Sequence, residues 1–374
     1  MEEWKEYKLG EIGKIVGGAT PSTKDRHNYD GNIAWITPKD LSTNKNRYIS
    51  CGERMISQKG LDSCSCSMLP PGSILFSSRA PIGYVAIAAN ELCTNQGFKS
   101  IVVNKEIADN IFIYYLLIYN RDYIAGLGSG TTFMEVSGKT MSEIQVSLPP
   151  LPVQKHIANI LSSLDDKIEL NRRINDNLEQ QAQALFKSWF VDFEPWGGKM
   201  PEDWREYKLC EFMPVKTGKM DANVASKVGK YPFFSCAQDI LYTDKYSFDA
   251  DAILVAGNGD FNVKWYRGKF EAYQRTYVLI PHNNRYLGWL FYAIKRNLNK
   301  ITRGARGSVI KFITKGNLED FTFWAPIDLT KCEIIDKFNV INNTIELKRA
   351  ENARLASIRD TLLPKLMSGE LKIS

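Results

Sequence analysis

Two stretches of the chain repeat apolar positions on a helical beat, and both are far longer than an average helix. In the first, Ile157, Leu161, Leu164, Ile168, Asn171, Asn175, Leu178, Ala182, Leu185 and Trp189 follow at alternating four- and three-residue steps. In the second, Ile334, Phe338, Ile341, Ile345, Lys348, Asn352, Leu355, Arg359, Leu362 and Leu366 keep the same beat. That spacing lays one stripe along a helix and predicts a coiled-coil seam. The first helix is expected after Pro149-Pro150-Leu151-Pro152, where proline is tolerated, and to about Phe190. The second is expected from about Leu329 to Met367, closing before Gly369. Each could simply pack on its own domain, but both interrupt the seam with polar residues at matching places. An antiparallel pairing centred near residue 173 sets Leu161 against Leu362, Ile168 against Leu355 and Leu185 against Phe338. It also brings Asn171 to Asn352 and Asn175 to Lys348, which avoids lone buried polar groups costing about 1–3 kcal/mol each.

The segments ahead of these helices are written twice. Trp4-KEYKL-x-Glu11 recurs as Trp204-REYKL-x-Glu211, 200 residues on. The extended run at 73–87 aligns with 252–266 at an offset near 178, and Gln96 aligns with Gln274, each just before a strand-like apolar run. From Pro149/Pro326 through Leu178/Leu355 the offset is 177, so the first copy carries roughly 22 extra residues between positions 19 and 72. Each copy mixes short strands, Gly/Pro/Asn turns and one short apolar helix (111–119 and 286–295) before its long helix. The fold class expected is α+β: two mixed α/β domains joined by two long helices in an antiparallel coiled coil, with pseudo-two-fold internal symmetry. The expected boundaries are 1–151 for the first domain, 152–192 for its helix, 193–327 for the second domain with a linker at 193–203, and 328–374 for the second helix and tail.

Charge separates the copies. The chain carries a net +6, yet residues 1–151 hold 15 basic and 15 acidic side chains while 201–327 hold 19 and 13. From Ala272 to Leu318 there are nine Lys or Arg and no acid. A surplus of this kind points to a polyanionic partner.

Chemistry-bearing motifs are scarce. The seven cysteines have no metal-knuckle or redox spacing, and the three histidines, His27, His156 and His282, lie far apart, so no metal site is expected. Gly138-Lys139-Thr140 resembles the end of a phosphate-binding loop, but the glycine needed five residues earlier is Phe133, and a turn is expected instead. Asp249 and Asp251 are read as solvated turn residues before a strand. No Asn-Pro-Pro-aromatic or Asp-Pro-Pro-aromatic methyltransferase motif is present. No apolar run reaches the length of a membrane span, and the start lacks a signal-peptide core, so a cytoplasmic protein is expected.

The phrases at 148–196 and 358–371, with TNQGF (94–98), GSILFSSRAPIG (72–83) and GSGTTF (128–133), resemble the specificity subunits of type I restriction–modification systems. The resemblance implies two target-recognition domains, each reading half of a bipartite site in double-stranded DNA, held apart by the paired helices. It implies two methyltransferase subunits and nuclease-translocase (restriction) subunits as partners. Catalysis, and with it S-adenosylmethionine, ATP and Mg, would belong to those partners, leaving this chain non-catalytic and without a cofactor. A stand-alone DNA-binding protein or decoy with no modification role is the alternative, and co-purification with a methyltransferase separates the two.

Base readout needs Arg, Lys, Asn or Gln at groove edges. In copy one this selects Arg79, Asn95, Gln96, Lys99 and the loop Ser129 to Phe133, with Thr131 and Thr132. In copy two it selects Asn258, Lys264, Gln274, Arg275, Arg303, Arg306 and Lys311. The Arg303–Ser308 segment is expected to be a glycine-rich loop aligned with Gly-Ser-Gly-Thr of copy one.

Overall fold

The computed structural model describes residues 4–130, 134–307 and 309–371. The chain divides into two units, Met1–Asn171 with Ala350–Ser374, and Arg172–Arg349.

Each unit opens and closes on the same antiparallel strand pair. In the first, Lys5–Lys8 runs against Gln145–Leu148; in the second, Trp204–Lys208 runs against Thr322–Pro326. The repeated Glu-Tyr-Lys-Leu-x-Glu phrase has a local job here. Glu11 accepts the Lys8 backbone N–H at 2.7 Å, and Glu211 accepts that of Lys208 at 2.7 Å. The following leucines then donate to the far strand's flank, Leu9 to the Ile144 carbonyl and Leu209 to that of Phe321, both at 2.9 Å.

Behind this frame stands a main sheet. In the first unit the order is Gly13–Gly17, Lys99–Val103, Ile74–Ser78, Ile82–Ala88, Tyr48–Ile49; in the second it is Val215–Thr217, Thr276–Leu279, Phe248–Ala256, Val263–Ala272, Tyr231–Phe234, Leu241–Thr243. The aligned runs are thus the same hairpin in both. Helix Asn110–Tyr119 is apolar all round and buried from Phe112 to Leu117, its start capped by the Asp109 carboxylate. Its counterpart Leu287–Arg296 buries every residue from Leu287 to Ile294. The extra residues of the first copy form Tyr29–Ile36, which pairs with Met55–Ile56 and Cys93–Thr94 over a small core of Tyr29, Trp35, Ile56 and Cys93.

The long helices span Leu151–Phe190 and Ile334–Met367. The second starts at the first residue of the apolar beat, five residues after the expected Leu329. Asp328 accepts the Thr330 N–H, giving a single turn at Leu329–Lys331, and Cys332 leaves helical geometry at ψ 81°. None of the seam residues is exposed. In the first unit Ile157, Leu161, Leu362 and Leu366 share one core, and Asn171 Nδ2 donates to Asn352 Oδ1 at 2.9 Å and to Glu351 at 3.0 Å. Asn352 Nδ2 returns to the Ile168 carbonyl at 3.2 Å. In the second unit Leu185, Ile334, Phe338 and Ile341 share a core, with the Phe186 and Phe338 rings 6.0 Å apart. Ile345 is buried there, whereas Leu178 is half-buried; Leu164 and Leu355 of the first unit are half-buried too. Both helices also press on their own domains, through Ala158, Phe186, Phe190 and Ile335, so the buried stripe is wider than a two-helix seam.

Three expectations need correction. Asn175 Oδ1 is buried without a hydrogen-bond partner among the described residues, so the half-buried Lys348 does not satisfy that oxygen as expected. Gly138–Glu143 is a short helix, not a turn, because Ser137 Oγ accepts the Thr140 N–H at 3.0 Å. Asp249 and Asp251 lie inside the strand Phe248–Ala256 opposite Lys269 and Arg267, and Arg267 donates to Asp251 at 2.9 Å.

Candidate nucleic-acid interface

In each unit, three turns from distant parts of the sequence are drawn together at the end of the main hairpin. The first unit's hairpin turns at Arg79-Ala80-Pro81, with a cis Ala80–Pro81 bond. Arg79 bridges to Glu135, which bridges to Ser129, and Ser78 donates to the Gly97 carbonyl beside Asn95 and Gln96. In the second unit Asn258 bridges to Phe312, which bridges to Arg306, and Gly257 donates to the Arg275 carbonyl beside Gln274. Arg79 and Asn258 are aligned in sequence, as are Ser129 and Arg306. The sequence repeat is therefore a repeat of this cluster.

Glycines allow the approach. A Cβ on Gly18 would lie 2.1 Å from the Asn95 carbonyl oxygen, and one on Gly218 would lie 2.2 Å from those of Ala272 and Tyr273. These glycines sit 200 residues apart, yet they meet carbonyls that sit 178 apart, which is how the structure absorbs the extra residues of copy one. Sequence reading missed this pair. It also missed Lys219, one residue past Gly218, which lines a cleft of about 480 Å³ with Thr217, Gln274 and Arg275. The signal was available: Lys-Thr-Gly-Lys follows the Trp204 phrase as Val-Gly-Gly-Ala follows the Trp4 phrase.

The two clusters differ in charge for a visible reason. Glu135 draws in Lys99 at 3.0 Å and Arg79 at 3.5 Å, and the Lys99 side chain is only 15% exposed. The second unit has Phe312 in place of that acid. Arg275, Arg303, Arg306 and Lys311 are exposed and make no ion pair among the described residues.

Other selected residues divide as follows. Asn95 Oδ1 accepts the Gly97 N–H at 2.9 Å, fixing the turn, while Gln96 is exposed and touches the Thr20 hydroxyl through its own side-chain oxygen. Ser129 is exposed; Thr131, Thr132 and Phe133 lie outside the described residues. Lys264 is turned inward, donating to the Ala237 carbonyl at 2.5 Å and to Asn262 at 2.8 Å, and burial pushes its ammonium below the usual lysine range. Of the acid-free run, Arg285 is committed to Asp336 and to three carbonyls, Lys295 to Glu179 and Lys315 to Glu319. The expected glycine loop is pinned rather than open: Arg306 and Phe312 exchange backbone bonds of 2.9 and 2.8 Å.

Among the described residues no cluster of three His, Cys, Asp or Glu could hold a metal ion, and no helix is long and apolar enough to cross a membrane.

The type I restriction modification DNA specificity domain matches residues 1–180 and again 201–357, and the chain belongs to this family. It is similar to the type I restriction enzyme MjaIX specificity subunit of Methanocaldococcus jannaschii, with 31% identity across the whole chain and 94% of that relative. The EcoDI specificity subunit of Escherichia coli is 39% identical over 180 residues, 46% of this chain and 40% of the relative. The crystal structure of the type I S subunit from M. genitalium shares the fold at a TM-score of 0.69 and 16% identity, covering 100% of this chain and 97% of that one.

Proposed function

We propose that this chain is the sequence-reading subunit of a type I restriction–modification complex, each unit recognising one half of a bipartite site in double-stranded DNA. The observation that carries the reading is the hairpin-end cluster built twice on one pattern, Arg79 with Glu135 and Asn258 with Phe312. Two related modules in one chain read two half-sites that can differ in sequence, unlike the half-sites of a symmetric dimer. The long helices set the separation and offer the docking surface for two methyltransferase subunits, to which nuclease-translocase subunits add. Adenine methylation, ATP use and cleavage reside in those partners, with S-adenosylmethionine, ATP and Mg.

The test is to map methylated adenines in a host with and without the gene, then with residues 1–147 exchanged for the matching segment of a relative. The expected result is a bipartite motif that needs the gene, of which the exchange alters one half and leaves the other half and the spacing. Both halves changing together would refute the two-module reading.

A further inference from the structure

Resting on that reading, we propose that Val309 and Ile310 read thymine through its C5-methyl group in the half-site of the second unit. Val309 is 93% exposed and Ile310 58%. Both stand at the tip of a narrow hairpin closed by the paired backbone bonds of Arg306 and Phe312. The tip is held tightly. Gly307 has φ 101°, and a Cβ there would lie 2.2 Å from the Ile310 carbonyl oxygen, so the turn tolerates only glycine. Asn258 bridges to Phe312 and Gly259 donates to the Lys311 carbonyl at 3.1 Å, tying the hairpin to the end of the main sheet.

On this pinned turn two adjacent β-branched side chains stand out to solvent, Val309 almost wholly and Ile310 over more than half its surface. Arg306 and Lys311, which flank them in the same hairpin, are exposed and make no ion pair among the described residues. An apolar tip flanked by two exposed cations fits a surface that is anionic outside and offers apolar points within. The DNA major groove is such a surface: it is about 12 Å wide, admits a two-stranded ribbon, and the thymine methyl is the apolar group on its floor. In sequence Ile310 aligns with Phe133, so an apolar residue holds the same place in both copies.

The experiment uses the full chain assembled with its methyltransferase subunits and the duplex identified by methylome mapping. Each thymine of the second half-site is replaced in turn by uracil, which removes only the methyl. The wild type is expected to lose about fourfold in affinity at one or two positions, the worth of a buried methyl. Ile310→Ala with Val309→Ala should lose a similar factor on the thymine duplex and nothing more on the uracil duplex. Both residues face solvent, so folding is not at stake. A half-site without thymine, no loss at any uracil, or an undiminished loss in the double variant would each overturn the proposal. Arg306→Ala with Lys311→Ala tests the underlying placement separately. It should weaken binding and flatten the salt dependence, and if both stay unchanged the hairpin is away from DNA and the methyl contact goes with it.

Discussion

The Tyr115 hydroxyl donates to the Asp165 carboxylate at 2.5 Å, and 177 residues on the Tyr292 hydroxyl donates to Asn342 at 3.1 Å. Each tyrosine comes from the apolar helix of its domain and each acceptor from the long helix of the same unit. The bond therefore fixes how a domain is seated on its own helix. In the first unit Arg47, from the extra residues, reinforces it by reaching Asp166 and the Ser162 carbonyl while 6% exposed. Tyr115→Phe should cost about 1–3 kcal/mol, since a buried carboxylate oxygen loses its donor. Tyr292→Phe should cost less, because the bonds its hydroxyl makes, to Asn342 at 3.1 Å and to the Glu179 carboxylate at 3.2 Å, are longer. Denaturant unfolding followed by fluorescence compares them, and equal costs would argue against bond length as the difference.

Glu179 supplies a pH dependence. Burial pushes its carboxyl up, but hydrogen bonds from Lys295 at 2.6 Å, Gln183 at 2.8 Å and Tyr292 at 3.2 Å outweigh this and hold it below its ordinary 4.5. A depressed carboxyl stabilises the fold above the unfolded value and loses that contribution as pH falls through the folded one. Stability of the second unit should thus decline below about pH 4.5, and Glu179→Gln should make the decline shallower. Thermal melts of the two proteins from pH 3 to pH 7 check the difference.

Gly218→Ala should cost at least about 1–3 kcal/mol, because the new methyl meets two backbone carbonyls that cannot move independently. Its functional mark is selective. Methylome sequencing should show relaxed discrimination in one half of the site only, and Gly18→Ala should relax the other half.

Arg303→Ala with Arg306→Ala should weaken binding to cognate and unrelated duplexes alike. The slope of log affinity against log salt should flatten by about 1–2 units. Binding of the assembled methyltransferase across a salt series measures this. Lys99→Ala should leave the slope nearly unchanged, since Glu135 already neutralises that ammonium.

Inserting one heptad in each long helix, ~10.5 Å of rise at 1.5 Å per residue, should lengthen the gap between half-sites and leave their sequences alone. Methylome sequencing of the variant reads both properties at once.

The fold was legible because its signals repeat. Ile157 to Leu185 and Ile334 to Leu366 announce helices by period, and the Trp4 and Trp204 phrases announce the same opening strand. What stayed hidden needed three dimensions. Nothing local marks Glu135 as the acid that neutralises Lys99 and Arg79, so those cations read the same as Arg275 or Arg306, which no acid among the described residues meets. The acid-free run misled in a similar way: Arg285 and Lys295 find Asp336 and Glu179, which lie outside the run. Cys332 carries no signal for its non-helical backbone, although it lies just ahead of the apolar beat that opens at Ile334.

The strand pairs that open and close each unit have a genetic consequence. Lys5–Lys8 lies against Gln145–Leu148, and Trp204–Lys208 against Thr322–Pro326, so the backbone enters and leaves each domain through neighbouring strands. A coding segment cut at those two strands carries a module whose loose ends already meet. Recombination at such junctions inherits a folded part rather than a fragment, and a new pairing of half-sites can arise in one event without a folding intermediate between old and new.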